Sequence, residues 1–331
     1  MKYSKILVAL MMAGLILPGC MGKRQPDDMN DSRIPVIFDT DANNELDDQH
    51  ALAYLLLNQE TFHVVGVTVN ATWGGGKVEK HFEEAERVVK LCNQQGIIPV
   101  FKGTNGSFPE IKAFVGNEEY DGSEAVEFII RESKRERDEP LVLLAVGKLT
   151  NVALALKKDP TISSRIRLVW LGSNYPDPGE YNQDNDTAAM NFLLETNVPF
   201  EMVTVRYGLS SGTAAVTVTR EEINRKMPGL GPKAQETVTG RHGGSFSCFG
   251  DYSVSLFEHI DYHDDAQTRA LFDMAAVAIV KNPDWANNIQ VPAPILVDNK
   301  WVDRPGNNRQ ITVWEDFKKE QILQDFFSTL E

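Results

Sequence analysis

Ile34-Pro35-Val36-Ile37-Phe38-Asp39-Thr40-Asp41-Ala42-Asn43-Asn44-Glu45-Leu46-Asp47-Asp48 decides the architecture of this chain. The apolar run from Ile34 to Phe38, bounded by Pro35 and Asp39, reads as a short strand. It empties into an acidic loop. Ala51, Leu52, Leu55 and Leu56 then recur at helical spacing between Asp48 and Asn58. Strand, loop and helix in that order open an α/β sheet, whose ligands bind beyond the carboxyl ends of the strands.

The same rhythm continues along the chain. Phe62 to Val69 is β-branched and strand-like, Val78 to Asn93 helical, and Ile97 to Phe101 a strand. Glu124 to Arg135 reads as a helix, Leu141 to Val146 as a strand, and Asn151 to Lys158 as a helix. Ile166 to Leu171, Thr187 to Thr196 and Phe200 to Val205 follow as strand, helix and strand. Near the end, Ile289 to Val297 and Gln310 to Trp314 read as strands and Glu315 to Leu330 as a closing helix. This alternation predicts a mostly parallel sheet with helices on both faces. Residues 206–265, richer in Gly, Ser and Thr, carry no clear period and are expected to cap or border the site.

Over 331 residues there are 47 Asp and Glu against 33 Lys and Arg, a net charge of −14. That balance argues against nucleic acid as a partner, because phosphate contacts need a basic face. Three cysteines make no disulfide scaffold, and none has zinc-finger spacing. Lys2 and Lys5 precede an apolar run from Ile6 to Leu17, too short to span a bilayer but suited to a signal-peptide core. Leu17-Pro18-Gly19-Cys20 resembles the lipobox of bacterial lipoproteins. Residues 1–19 are therefore expected to be a signal peptide, Cys20 the lipidated residue, 20–33 a flexible tether and 34–331 one domain. The expected location is the cell envelope, anchored in a membrane through lipidated Cys20. Cys92 reads as a core residue, and its pairing with Cys248 is left open.

Five clusters carry chemistry. Five acids crowd into Asp39 to Asp48. The N-terminal dipole of the next helix favours Asp47 and Asp48 by about 0.3–1 kcal/mol each. Asp39 and Asp41 are left to a hard cation with oxygen ligands, Ca²⁺ or Mg²⁺. The bland alternative is an acidic loop with one capping Asp. Asp273 stands in an otherwise apolar run, Ala270 to Val280, so it is expected to be buried with a basic residue or a metal. Glu180-Tyr181-Asn182 follows a strand end, with Glu180 and Asn182 placed to grip vicinal hydroxyls; the alternative is a polar loop with Asp186 or Thr187 capping a helix. In Ala145-Val146-Gly147-Lys148-Leu149-Thr150-Asn151 a buried strand stops at Gly, leaving the Val146 carbonyl available to a metal. Val69-Asn70-Ala71-Thr72-Trp73-Gly74-Gly75-Gly76 lacks the Gly-Lys-Ser/Thr ending of a phosphate loop. Asn70 is placed to reach a sugar hydroxyl and Trp73 to stack on a base or sugar.

Taken in order, Asp-x-Asp with Leu46-Asp47-Asp48, Gly147-Lys148-Leu149-Thr150-Asn151, Glu180-Tyr181-Asn182 with Asp186, and Asp273 resemble the inosine–uridine-type nucleoside hydrolases. The resemblance covers nearly all of residues 34–331. It implies a Rossmann-like α/β fold, one Ca²⁺, and hydrolysis of the N-glycosidic bond of a small ribosyl substrate. It implies Asp41, Asp48, Asp273 and the Val146 carbonyl as Ca²⁺ ligands, with Asp41 also the general base. Asp47, Asn70, Glu180 and Asn182 would bind the ribose, whose 2′- and 3′-oxygens complete the ion's shell. Members often form dimers or tetramers, so a homo-oligomer is implied by analogy alone.

Two departures stand out. The acidic loop is two residues longer than the usual Asp-x-Asp-Pro-Gly-x-Asp-Asp, and Phe272 occupies the place where many members carry a His that protonates the leaving base. His242, His263, Arg241 and Tyr262 are the available substitutes. Two other readings compete. One is a lipid-anchored ribose- or glycan-binding protein without turnover. The other is a Mg²⁺ phosphatase of the haloacid-dehalogenase type, which also opens with a strand and Asp-x-Asp but usually carries Thr or Val where Asn43 stands.

Overall fold

Val36, Ile37 and Phe38 are fully buried, because β1 (Ile34–Thr40) runs through the middle of the central sheet. The computed structural model describes residues 31–331. The expected signal peptide, Cys20 and all but the end of the tether lie outside the described residues. Residues 32–331 form one unit.

The first half alternates as its sequence pattern predicts. After β1 come α1 (Asp47–Leu57), β2 (Phe62–Val69), α2 (Val78–Leu91), β3 (Val100–Lys102), α3 (Phe108–Ile111) and α4 (Ser123–Ser133). Then follow β4 (Leu141–Ala145), α5 (Thr150–Lys158), β5 (Ile166–Ser173), α6 (Tyr181–Asn185), α7 (Thr187–Leu194) and β6 (Phe200–Thr204). The segment without a clear period holds β7 (Thr217–Thr219), α8 (Arg220–Lys226), the hairpin of β8 (Val238–Thr239) and β9 (Ser245–Phe246), and α9 (Phe249–Glu258). The chain closes with β10 (Thr268–Ala270), α10 (Phe272–Lys281), β11 (Asn287–Pro292), β12 (Ile295–Val297), β13 (Lys300–Val302), β14 (Gln310–Glu315) and α11 (Lys319–Leu330).

Eight strands share one sheet in the order β11-β14-β6-β5-β4-β1-β2-β3. All neighbours run parallel except edge strand β11, which is antiparallel to β14. Alternation along β1 feeds two separate cores. Val36 and Phe38 pack with α1, α2, α9, α10 and α11 on one face, and Ile37 packs with α4, α5 and α7 on the other. Both faces of the sheet are thus covered, as a parallel sheet requires.

Three boundaries differ from the sequence pattern by more than two residues, the first being β3, which starts at Val100 rather than Ile97. The strand expected over 289–297 is broken into β11 and β12, since Pro292 and Pro294 flank Ala293 and neither can donate to a ladder. The last helix starts at Lys319 rather than Glu315, because Glu315 still belongs to β14 and Asp316 adopts a left-handed φ of 55°. Cys92 and Cys248 are both buried and unpaired.

Candidate active site

The strand order reverses at β1, with β2 and β3 on one side and β4 on the other. The crevice above such a reversal lies between the carboxyl ends of two parallel strands, where no helix covers them. Asp39 and Asp41 emerge there from β1, Val146 from β4, and Asp47 and Asp48 from the first turn of α1. α10 packs along α1 and brings Asp273 in from its own first turn. Residues separated by more than two hundred positions thereby line one cavity of about 240 Å³, together with Glu180, Tyr181, Asn182, Tyr207 and Phe272.

One carboxylate oxygen from each of Asp47, Asp48 and Asp273 lies within 4.8 Å of the others, and all three residues are buried. Asp41 is outside this trio but lines the same cavity, its Oδ2 accepting from the Thr72 hydroxyl at 2.5 Å. Thr40 donates to Asp48 Oδ1. Among the described residues no Lys or Arg forms an ion pair with these four acids, although Arg269 and Lys148 act on Asp47 and Asp41 from a distance. Arg269 is committed to Glu45, and the Lys148 ammonium donates to the carbonyls of Asn105 and Gly106 at 3.1 and 2.6 Å. Burial, reinforced by mutual repulsion, pushes Asp41 up to about 7 and Asp47 up to about 8, and holds Asp48 and Asp273 well above the usual carboxylate range. Only protons or a cation can discharge such a cluster. The donor set is all oxygen, which suits a hard divalent ion.

Asp39 corrects the sequence reading. It needs no cation, because Thr68, Asn70 and Asn151 donate to its carboxylate at 2.5, 2.8 and 2.7 Å. These donors come from β2, the loop after it, and α5, so the fully buried carboxylate ties three segments together below the cavity. Asn70 spends its amide nitrogen on Asp39, while its Oδ1 is buried without a partner. It sits behind Gly147, where an added Cβ would lie 3.0 Å from both Asn70 Nδ2 and Asp41 Oδ1. Gly147 therefore keeps open the approach between β1 and β4.

Glu180 and Asn182 flank the other wall. Glu180 Oε2 caps α6, accepting from the Gln183 amide at 2.9 Å, and burial pushes its carboxyl up to about 8. Asn182 donates through Nδ2 to the carbonyls of Val146 at 2.7 Å and Leu171 at 3.3 Å. Its Oδ1 is buried and unpartnered, so it offers the cavity an acceptor. The Val146 carbonyl, free of the ladder, has a second lone pair to give. Asp186 is structural, accepting from Ala189, Phe108 and Thr150.

None of His242, His263, Arg241 and Tyr262 lines this cavity, and the Tyr262 hydroxyl is spent on the Phe257 carbonyl at 2.6 Å. Tyr207, which the sequence did not single out, does line it, with its ring edge-on to Phe272 at 6.0 Å. Trp73 stands exposed at the mouth, edge-on to Tyr181.

The raised carboxyls fix a sign for stability. The unfolded carboxyls ionise near pH 4, whereas the folded ones hold their protons to about 7 and 8. Across that window the folded state binds more protons, so in EDTA the melting temperature should fall as pH rises from about 4 to 8. With saturating divalent ion the folded cluster holds fewer protons, and the fall should vanish or reverse. Scanning calorimetry under both conditions checks this.

The family model described as "Inosine-uridine preferring nucleoside hydrolase" matches residues 36–324. "Non-specific ribonucleoside hydrolase RihC" of Escherichia fergusonii is 25% identical over 273 residues, covering 76% of this chain and 80% of that protein. "Probable uridine nucleosidase 1" of Oryza sativa subsp. japonica is 25% identical over 229 residues, 61% of this chain. The chain spans 66% of that rice protein, just under two thirds of its length. Among solved structures, a plant nucleoside hydrolase, PpNRh1, superposes with a TM-score of 0.68 at 17% identity, covering 90% of this chain and 98% of the other. At that identity the likeness is one of fold.

Proposed function

Because the chain belongs to the inosine-uridine preferring nucleoside hydrolase family, we propose that it is a Ca²⁺-dependent hydrolase of the N-glycosidic bond of ribonucleosides or related ribosyl compounds. The observation that carries this reading is the convergence of the buried Asp41, Asp47, Asp48 and Asp273 on one cavity, with no ion-paired Lys or Arg among the described residues.

Asp41, Asp48, Asp273 and the Val146 carbonyl, which line the cavity, would hold the ion, and the proximity of Asp47 to Asp48 and Asp273 supports a share for it as well. A divalent ion held there would offset the repulsion among the acids and would supply Lewis acidity to a neighbouring water. Asp41 is the carboxylate placed to act as general base toward the attacking water. The acceptors of Asp47, Glu180 and Asn182 Oδ1 hold ribose hydroxyls. Positive charge developing on the sugar ring is stabilised by the surrounding carboxylates, which are themselves buried.

The leaving group departs toward Phe272, which offers no proton. Tyr207, half-exposed beside it, carries a hydroxyl, and partial burial with the charges of Glu180 and Asp47 holds its phenol in the protonated form, as a hydrogen-bond donor to the leaving base. Its backbone is pinned by Asn174 Oδ1 at 3.0 Å. Tyr207→Phe should lower kcat on uridine by about 10- to 100-fold, within the range of general-acid contributions, with little change in KM. Hydrolysis of p-nitrophenyl riboside, whose leaving group needs no proton, should be nearly unaffected.

Ribose release from inosine, uridine, adenosine and cytidine, with EDTA and with restored Ca²⁺, tests the proposal. No release from any of them overturns it. From the lipobox-like Leu17-Pro18-Gly19-Cys20 we also propose anchoring to a cell-envelope membrane through Cys20. Full-length chain should remain with membranes after a carbonate wash, and Cys20→Ser should release it.

A further inference from the structure

A second cavity, of about 430 Å³, adjoins the first across Asn44, which lines both. Its walls are Lys80, Glu83 and Arg87 of α2 and the residues Gly240-Arg241-His242 that turn from β8 toward β9. The two cavities differ in sign. The first is lined by carboxylates, whereas the second carries three permanent or near-permanent cations against one Glu.

Most of that positive charge is already answered. Lys80 pairs with Glu83 at 2.9 Å, and Arg87 pairs with Glu84 while donating to the Thr239 carbonyl. Arg241 is different. Among the described residues no carboxylate oxygen comes within 4 Å of it, and its Nη1 is buried without a partner. Guanidinium cannot shed its proton in a protein, so the charge persists.

The surroundings hold that guanidinium in place. Arg241 Nε donates to His242 Nε2 at 2.9 Å, which requires a lone pair there and leaves the His242 proton on Nδ1. The His242 ring lies 4.7 Å from His259 with only 4° between planes. His259 is in turn fixed by its Nδ1 against the Ser255 carbonyl at 2.8 Å. Gly243 and Gly244, at φ of 88° and 78°, make the turn that presents this row. With Nε spent on His242 and Nη1 left without an acceptor, the guanidinium keeps donors and a full charge for an anion.

We propose that this second cavity is an anion subsite, and that the preferred ribosyl substrate carries a carboxylate or phosphate that reaches past Asn44 to Arg241. This rests on the hydrolase reading and narrows its substrate class. The anion has two chemical sources, an acidic leaving base or a phosphate on the ribose 5′ carbon.

Steady-state kinetics of the full chain with uridine, orotidine and uridine 5′-monophosphate separate them. Orotidine adds a carboxylate to the base and the nucleotide adds a phosphate to the sugar. One of the two should exceed uridine in kcat/KM by about tenfold or more at low salt, as a charge-assisted bidentate contact provides. Arg241→Gln should bring that ratio to near one, and Arg241→Lys, which keeps the charge but not the fork, should retain part of it. Equal kcat/KM for all three substrates, or a loss in Arg241→Gln that is the same for neutral and anionic substrates, overturns the subsite. If no compound is hydrolysed, the hydrolase reading fails instead. Calorimetry with orotate and inorganic phosphate then decides the subsite: binding lost in Arg241→Gln supports it, and no binding to the unaltered chain overturns it.

Discussion

Asp41→Asn should lower kcat by about a thousandfold while the protein stays folded. The size follows from what the side chain does in the proposed reaction. A positioned general base contributes about 10²–10⁴ in rate, and an amide cannot take a proton near neutral pH. The fold should tolerate the change, because the isosteric amide can still accept from Thr72 and removes one buried charge from a crowded cluster. KM should move much less, since Asp47, Glu180 and Asn182 hold the ribose in this scheme. Ribose-release kinetics and a melting curve of the same preparation check both halves. A variant that keeps a tenth or more of the activity would move the base elsewhere, and Glu180 would be the next group to test.

How far the sequence reveals this site depends on whether a residue's role is set by neighbours in the chain or by neighbours in space. The opening strand, acidic loop and helix are legible because period and composition are local. Burial of Asp273 is legible for the same reason, from the apolar residues around it. The partners of Asp39 are not, since Thr68, Asn70 and Asn151 reach it from three other segments. Nor is the pairing of Glu45 with Arg269, across more than two hundred positions. Both acids are alike in the loop, yet amide and hydroxyl donors satisfy one, an arginine pairs with the other, and four further acids have no ion-paired base among the described residues. Asn182 shows the same limit in reverse. Its residue type suggested a donor to sugar hydroxyls, but two backbone carbonyls consume that donor and only the acceptor faces the cavity. Tyr207 gave no periodic signal, and its role comes from the loop after β6 folding beside Phe272.

Asp273→Asn should separate the cost of the acidic cluster from its use. Without metal, four buried carboxyls repel one another, and burial makes each charge dearer. Removing one should raise the melting temperature in EDTA at pH 8, where the remaining acids are most ionised. With Ca²⁺ in excess the order should invert. The unaltered chain gains about 2.7 kcal/mol at a hundredfold excess over Kd and about 4 kcal/mol at a thousandfold, a rise of several degrees for a domain of this size. The variant, with a neutral amide in place of a charged ligand, should bind weakly and gain little. Two melting curves that cross as Ca²⁺ replaces EDTA are therefore the expected signature. A structural ion pair at Asp273 would give the opposite pattern in EDTA, since losing one partner of a buried pair destabilises by about 3–5 kcal/mol. If the variant retains a full equivalent of Ca²⁺ and the full thermal gain, Asp273 is not a ligand, and the cluster must close around Asp41, Asp47 and Asp48 alone.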